Sequence, residues 1–296
     1  MDGSAGASVT AARARRTIER PALTLADRAR RALRALKHAV TFWRRAVVLT
    51  VNRALGRTFV PRTNLMTIEP TGACNLACRF CGHPKKTEGK VSMPAADFAM
   101  VLDQVAATGT SYVSLTPTTG DVFMDKDILA KLAALQAHPG IDGFEFFTNF
   151  VLADAEAIAA LAAAAKLKIM VISIYGHDEA SFCAIADRPA NQYARLVQNL
   201  RRLADAAPAF KGKIVVGLRT EEWVEWSPAA GWARHPGLAE SDLLLAIRAL
   251  CRHANVEWSG NYVGFDTWGG KVTPADVAGL DMTIRKRPNM PKIGAC

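Results

Sequence analysis

The sequence predicts an α/β fold, a partial (β/α)6 TIM-like barrel with an N-terminal basic amphipathic helix and a short C-terminal extension. Two observations predict it. From about residue 61, short β-rich runs alternate with longer helical patterns, which is typical of βα units and a parallel sheet. Hydrophobic residues make up 50% of the 296 residues, so the chain can bury a substantial core. An open doubly wound sheet would show the same alternation.

We divide the chain into a basic leader over residues 1–60, a barrel over 61–260 and a C-terminal extension over 261–296. The leader carries the basic excess. Up to residue 63 there are 14 Lys and Arg against 3 Asp and Glu, whereas the remainder has 23 against 24. The body therefore has no electrostatic support for nucleic-acid binding, and we expect no nucleic-acid partner.

A basic amphipathic helix is predicted within residues 27–56, where apolar residues recur at steps of three and four. These positions are Leu33, Leu36, Val40, Trp43 and Val47. Such a helix can lie on an anionic membrane surface, dock on a partner or cover the end of the next domain. The longest uncharged stretch, Ala46–Asn52, is far below the roughly 20 residues that cross a bilayer. We expect a cytoplasmic protein, with peripheral membrane contact as one option.

The elements of the barrel follow from local patterns and helix punctuation such as Pro94, Gly109 and Ser241. The predicted strands are Leu65–Glu69, Tyr112–Leu115, Phe144–Thr148, Lys168–Ile174, Lys213–Arg219 and Val256–Ser259. The predicted helices are Ala95–Ala107, Lys126–Ala137, Ala153–Ala165, Asn191–Ala206 and Ser241–Cys251. Residues 223–237, with three Trp and two Pro, are expected to form a long loop over the barrel mouth.

Three of the six cysteines, Cys74, Cys78 and Cys81, fall in one loop after the first strand with the spacing C-x3-C-x2-C. Clustered cysteines in a chain without an export signal favour metal binding over disulfides. The spacing alone allows a zinc site, with His83 as a fourth ligand, or three positions of an iron-sulfur cluster. Cys183 and Cys251 lie in apolar helical surroundings and are interpreted as structural.

With Phe80 before the third cysteine, this loop resembles the C-x3-C-x-aromatic-C motif of the radical S-adenosylmethionine (radical SAM) superfamily. The resemblance implies a 4Fe-4S cluster on Cys74, Cys78 and Cys81, with S-adenosylmethionine bound at the fourth iron. It further implies an enzyme that reductively cleaves this cofactor to a 5′-deoxyadenosyl radical, which abstracts hydrogen from a substrate. An electron donor such as flavodoxin or ferredoxin would be a partner.

The same resemblance assigns cofactor-binding residues. Phe80 would pack by the adenine. Gly120 and Asp121 stand where the family usually has Gly-Gly-Glu-Pro and would meet the methionine amino group. Ser173, at the end of the fourth strand, and Arg188 would meet the methionine carboxylate. Thr148-Asn149 resembles the family's Thr-Asn-Gly, with Phe150 in place of the Gly.

The C-terminal extension resembles the approach to the SPASM extension of this superfamily, with the auxiliary-cluster tail truncated or missing. The segments concerned are 266–270 and 291–296, the second of which ends on Cys296. The resemblance implies a peptide substrate, with a small molecule such as a sugar or alcohol as an alternative. A third hypothesis is a non-catalytic zinc or iron-sulfur binding module.

Overall fold

A computed structural model describes most of the chain. The described residues are 25–56, 64–87, 89–116, 119–219, 224–227, 231–234, 240–261, 264–280 and 282–285. The chain divides into two compact units, Met1–Val60 with Lys292–Cys296, and Pro61–Pro291.

The described part of the first unit is one helix, α1, over Leu25–Ala54. Its Ala, Leu and Arg residues are strong helix formers, and neither Gly nor Pro interrupts them. The predicted apolar positions are exposed, by 67% at Trp43 and 60% at Leu36. Within the described residues, no helix combines the length and apolar character needed to span a bilayer.

The second unit is built on a sheet of six parallel strands, as the sequence predicts. These strands are β1 (Leu65–Thr67), β2 (Tyr112–Ser114), β3 (Gly143–Thr148), β4 (Leu167–Tyr175), β5 (Lys213–Arg219) and β8 (Val256–Asn261). They neighbour one another in the order β1-β2-β3-β4-β5-β8. The pairing places Val113 opposite Phe144, Phe146 opposite Met170, and Met170 opposite Ile214. Because all the strands run one way, their carboxyl ends meet at one edge.

Helices connect successive strands. They are α2 (Ala95–Ala107), α3 (Ile128–Ala137), α4 (Ala155–Ala163), α5 (Glu179–Ala186), α6 (Ala190–Ala206) and α7 (Asp242–Leu250). Asp154 caps α4 by accepting a hydrogen bond from the Ala157 amide, and Ser241 caps α7 by accepting one from the Leu244 amide. The sequence analysis missed α5, which has only eight residues.

The core lies between the sheet and these helices. Phe98, Phe144, Met170 and Leu200 are each 0% exposed. Burying a side chain of this size stabilises the fold by about 1.5–3 kcal/mol. Lys131 is also fully buried, but it is paired with Asp125, so its charge is compensated.

The prediction of a long irregular loop over 223–237 is wrong for its described residues. They form an antiparallel hairpin of β6 (Val224–Ser227) and β7 (Gly231–Arg234). The register places Trp226 opposite Trp232. Strands favour Val and Trp, so Trp226 and Trp232, which together with the two Pro suggest a loop, instead belong to strands.

The described part of the C-terminal extension has its own structure. Strand β9 (Gly264–Asp266) pairs in parallel with β10 (Thr283–Arg285), and a short 3-10 helix over Pro274–Val277 lies between them. Thr273 caps this helix in a reciprocal arrangement with Asp276. Cys296 lies outside the described residues.

Candidate active site

A cavity of about 630 Å³ opens at the carboxyl ends of the parallel strands. Its lining combines residues of the cysteine loop, the strand ends and the C-terminal extension. They are Cys74, Leu76, Cys78, Phe80, Cys81, His83, Thr116, Thr119, Gly120, Asp121, Phe147, Thr148, Asn149, Ser173, Tyr175, Arg219, Gly264, Phe265, Asp266, Trp268 and Gly269. All sequence-predicted site residues except Arg188 are among them.

The cysteine loop is fixed by backbone hydrogen bonds to the end of α5. The Ala77 amide donates to the Ala186 carbonyl and the Arg79 amide to the Ile185 carbonyl, both at 3.0 Å. Inside the loop, the Cys81 amide donates to the Cys78 carbonyl at 2.9 Å. The helix that the sequence analysis missed is thus the support of the candidate metal ligands.

The three thiols share a largely buried environment. Burial raises the pKa of Cys74 to about 12, with the nearby Asp121 carboxylate adding to the rise. Burial also raises the pKa values of Cys78 and Cys81, which the Arg219 cation opposes. Thiols of this kind release their protons when a metal ion binds them. A soft thiolate donor set suits iron-sulfur clusters and zinc.

The described residues contain no group of three or more His, Cys, Asp or Glu side chains arranged to hold a single metal ion. A cubane cluster does not require side chains grouped around one metal ion, because each of its cysteines binds a different iron. His83, the fourth ligand in the zinc hypothesis, lines the cavity. Its buried Nε2 and the buried Thr119 Oγ1 have no hydrogen-bond partner among the described residues. Two orphaned polar atoms beside three thiols fit a site that takes up a further polar molecule.

The Asp121 carboxylate accepts three hydrogen bonds from groups of the protein. Its Oδ1 accepts a hydrogen bond from the Phe123 amide at 3.0 Å. Its Oδ2 accepts from Thr148 Oγ1 at 2.9 Å and from the Asn149 amide at 2.6 Å. The Asp121 amide donates to the Ala73 carbonyl at 2.8 Å, which ties this turn to the cysteine loop. Burial raises the pKa of the carboxyl, and these hydrogen bonds oppose the rise.

The two residues assigned to the methionine carboxylate are found in different places. Ser173 lines the cavity. Arg188 does not, since its Nε donates to the Asn75 carbonyl at 2.6 Å and its Nη1 to the Asp187 carbonyl at 2.8 Å. The permanent cation among the described lining residues is Arg219, whose Nη2 lies 3.5 Å from Ser173 Oγ. Sequence reasoning missed Arg219, although it ends a correctly predicted strand.

An aromatic cluster closes one side of the cavity. The ring of Phe80 stacks on Phe265 with centroids 4.1 Å apart and lies 5.6 Å from the ring of Tyr175. The Arg219 guanidinium lies 5.5 Å from the Phe265 centroid, within cation–π range. Trp268 Nε1 donates to the Phe80 carbonyl at 3.0 Å.

Polar contacts also join the C-terminal extension to the cysteine loop. Arg79 donates to the carbonyls of Asp276 and Ala278 at 2.8 and 2.9 Å. Lys85 pairs with the Asp276 carboxylate at 2.6 Å. Residues 264–269 form part of the wall of the candidate site, and residues 276–278 hold the extension against the cysteine loop.

Comparison with known proteins shows which family the sequence matches. A sequence model of the Radical SAM superfamily matches residues 68–227, more than half of the chain. No curated protein matches the sequence. Solved structures are similar at low identity. Streptococcus suis SuiB bound to S-adenosylmethionine is 20% identical with a TM-score of 0.41, over 52% of this chain and 32% of SuiB.

SuiB of Streptococcus suis bound to the precursor peptide SuiA is 17% identical with a TM-score of 0.45, over 68% of this chain and 38% of SuiB. BtrN in complex with AdoMet and 2-DOIA is 13% identical with a TM-score of 0.35, over 39% of this chain and 47% of BtrN. The chain thus spans less than half the length of each. Given the match over residues 68–227, the chain belongs to the radical SAM superfamily.

Proposed function

We propose that this protein reductively cleaves S-adenosylmethionine at a 4Fe-4S cluster bound by Cys74, Cys78 and Cys81. The family implies both cofactors. The observation that carries the proposal is that the three thiols line one cavity together with His83 and Thr119, each of which has a buried polar atom without a hydrogen-bond partner among the described residues. When bound, the two cofactors supply a 5′-deoxyadenosyl radical that abstracts hydrogen from a substrate.

The chain's own residues bind and orient the cofactors in this proposal. Phe80 borders the adenine, and Gly120 leaves space for the methionine amino group. Ser173 and Arg219 bind the methionine carboxylate, because a partly buried guanidinium beside a hydroxyl favours an anion. Arg188 acts indirectly by holding the Asn75 carbonyl of the cysteine loop. The stacked rings of Phe80 and Phe265 exclude water.

The test uses anaerobically reconstituted protein. We expect brown charge-transfer absorption and, after addition of dithionite, formation of 5′-deoxyadenosine. Replacing Cys74, Cys78 or Cys81 by Ala should abolish both, whereas the control Cys183→Ala should retain them. Protein that stays colourless and binds zinc would support a non-catalytic binding module instead.

We also propose a peptide substrate and membership of the SPASM-like branch, with a flavodoxin or ferredoxin as electron donor. The described pairings of the six-stranded sheet do not join β1 to β8, so the barrel is partial and a large substrate can approach from the side. Transfer of deuterium from a labelled candidate peptide into 5′-deoxyadenosine would test this. Transfer from a labelled sugar or alcohol alone would favour the small-molecule alternative.

We propose that the chain divides into domains at about residues 60 and 260. For the leader, residues 1–60, we propose peripheral contact of a cytoplasmic protein with anionic membranes. The exposed stripe of α1 includes Val40 and Trp43, and the helix carries eight Lys and Arg against one acidic residue. Nucleic acid could neutralise the cations but would leave the apolar stripe exposed to water.

Flotation of the full chain with anionic and with neutral vesicles tests this contact. We expect binding to anionic vesicles only, which Val40→Asp reduces by about tenfold or more. Thr41→Asp adds the same charge one residue on, away from the stripe, and should reduce binding much less. Equal loss in both variants would contradict insertion of the stripe.

A further inference from the structure

We propose that Asn149 raises the reduction potential of the cluster by donating a hydrogen bond from its side-chain amide to Cys74 Sγ. The inference rests on the proposed function, in which Cys74 binds iron. Asn149 is 4% exposed, and its Nδ2 lies 3.8 Å from Cys74 Sγ. It is therefore a positioning residue that touches a cluster ligand.

The orientation of the Asn149 amide follows from its other partners. Its Oδ1 accepts a hydrogen bond from the Val151 amide at 2.9 Å, and a backbone N–H can only donate. Its Nδ2 donates to Asn75 Oδ1 at 2.9 Å. The NH2 group carries two hydrogens, so it can donate to Asn75 and to Cys74 together.

The backbone around Asn149 is held in place despite a strained neighbour. Phe150 is fully buried and has a φ of +62°, in the left-handed region that favours glycine. Its amide donates to Thr148 Oγ1 at 2.9 Å, and the Asn149 amide donates to Asp121 at 2.6 Å. Strained backbone of this kind persists where the surrounding contacts over-determine it.

A hydrogen bond to a ligand sulfur has a defined effect on redox chemistry. One-electron reduction takes a 4Fe-4S cluster from the 2+ to the 1+ state, so negative charge increases on the iron and sulfur atoms. A donor aimed at sulfur stabilises that charge and favours the reduced state. Cys81 Sγ accepts a comparable bond from the His83 backbone amide at 3.4 Å, which side-chain substitution leaves in place. The Asn149 bond can be removed by mutation.

The experiment measures the midpoint potential of the reconstituted full chain without S-adenosylmethionine, by dithionite titration followed by EPR. Asn149→Ser keeps an oxygen for the Val151 amide, but its shorter side chain does not reach Cys74. We expect reduction to become about threefold to tenfold less favourable. At 59 mV per tenfold for one electron, the midpoint falls by roughly 30–60 mV.

The matched control is Asn199→Ser. Asn199 is 1% exposed and supports the same turn, but its amide donates to the Val151 carbonyl at 2.9 Å. The midpoint potential of Asn199→Ser should equal that of the wild type. Asn149→Thr also keeps an oxygen for the Val151 amide and has no donor that reaches Cys74, so its midpoint should fall by the same amount. This variant tests the proposal if Asn149→Ser loses its cluster.

The outcomes separate the two proposals. If the wild type assembles no cluster, the proposed function fails and the inference with it. If the wild-type cluster assembles and Asn149→Ser has the same midpoint as Asn199→Ser, the role of Asn149 alone is refuted. An unchanged midpoint in Asn149→Thr, when Asn149→Ser holds no cluster, refutes it as well.

Discussion

Substitution of Asp121 by Asn would test which hydrogen bonds hold the turn before α3. Asp121 is 1% exposed, and both of its oxygens face donors: the Phe123 amide on one side, Thr148 and the Asn149 amide on the other. An asparagine has one oxygen, so its NH2 group must face either the Phe123 or the Asn149 amide. The Thr148 hydroxyl can rotate and accept instead, but a backbone amide cannot.

One buried amide is therefore left without an acceptor, which costs about 1–3 kcal/mol. A domain of this size loses about 2–4 °C of melting temperature for each kcal/mol. We expect Asp121→Asn to melt roughly 4–8 °C below the wild type, taking about 2 kcal/mol as the central value. The loss should be similar whether or not the carboxyl is ionised, because a protonated carboxyl oxygen can still accept.

The assay is thermal unfolding followed by circular dichroism, with Asp103→Asn as the control. Asp103 is 79% exposed and pairs with His138 at the surface, so its substitution should shift the melting temperature very little. Equal melting temperatures for the wild type and Asp121→Asn would refute the reasoning. A weaker affinity for S-adenosylmethionine at low temperature, beyond the loss of stability, would assign Asp121 a direct contact with the cofactor.

Three further predictions concern the cavity wall and the sheet. Arg219→Met should weaken S-adenosylmethionine binding by about 10-fold to 150-fold in equilibrium dialysis, because a hydrogen bond to a charged group contributes about 1.5–3 kcal/mol. An unchanged affinity would exclude Arg219 as the carboxylate ligand. Trp268→Phe removes the bond to the Phe80 carbonyl and should lower the free energy of unfolding by about 0.5–1.5 kcal/mol in urea titrations; no loss would show that this bond is not formed. Burial and Glu145 raise the pKa of Tyr112 from 10.0 to about 12. The protonated tyrosine therefore stabilises the fold fully below pH 10, and this stabilisation is lost as the pH rises to about 12. Tyrosinate absorbance should show this late transition, and Tyr112→Phe should remove it.

Much of the fold could be predicted because its signals are local. Helix α2 was predicted at its observed bounds and strand β5 likewise, since apolar periodicity and helix punctuation agree there. Helix α5 was missed because it is short and begins with a capping box of Asp178 and Ser181 rather than the common Ser or Thr with Glu. The hairpin was missed because its Trp and Pro residues were read as a loop.

The candidate site was predictable where one motif carries it and not where distant segments meet. The cysteine spacing indicated Cys74, Cys78 and Cys81 directly. Arg219 and Trp268 join the cavity only through tertiary packing, which one sequence does not reveal. Arg188 was assigned because it matches an arginine of the family's pattern, but side-chain direction decides which arginine faces the cavity.

The bonds between Arg79 and the extension have a consequence for biosynthesis. Their partners are separated by 197 and 199 positions along the polypeptide, so the ribosome makes the cysteine loop long before the segment that walls it in. Loop closure over such distances is slow compared with local structure. Until the ribosome has synthesised residues 276–278, Arg79 has neither of these hydrogen bonds, and the cysteine loop folds without that part of its surroundings.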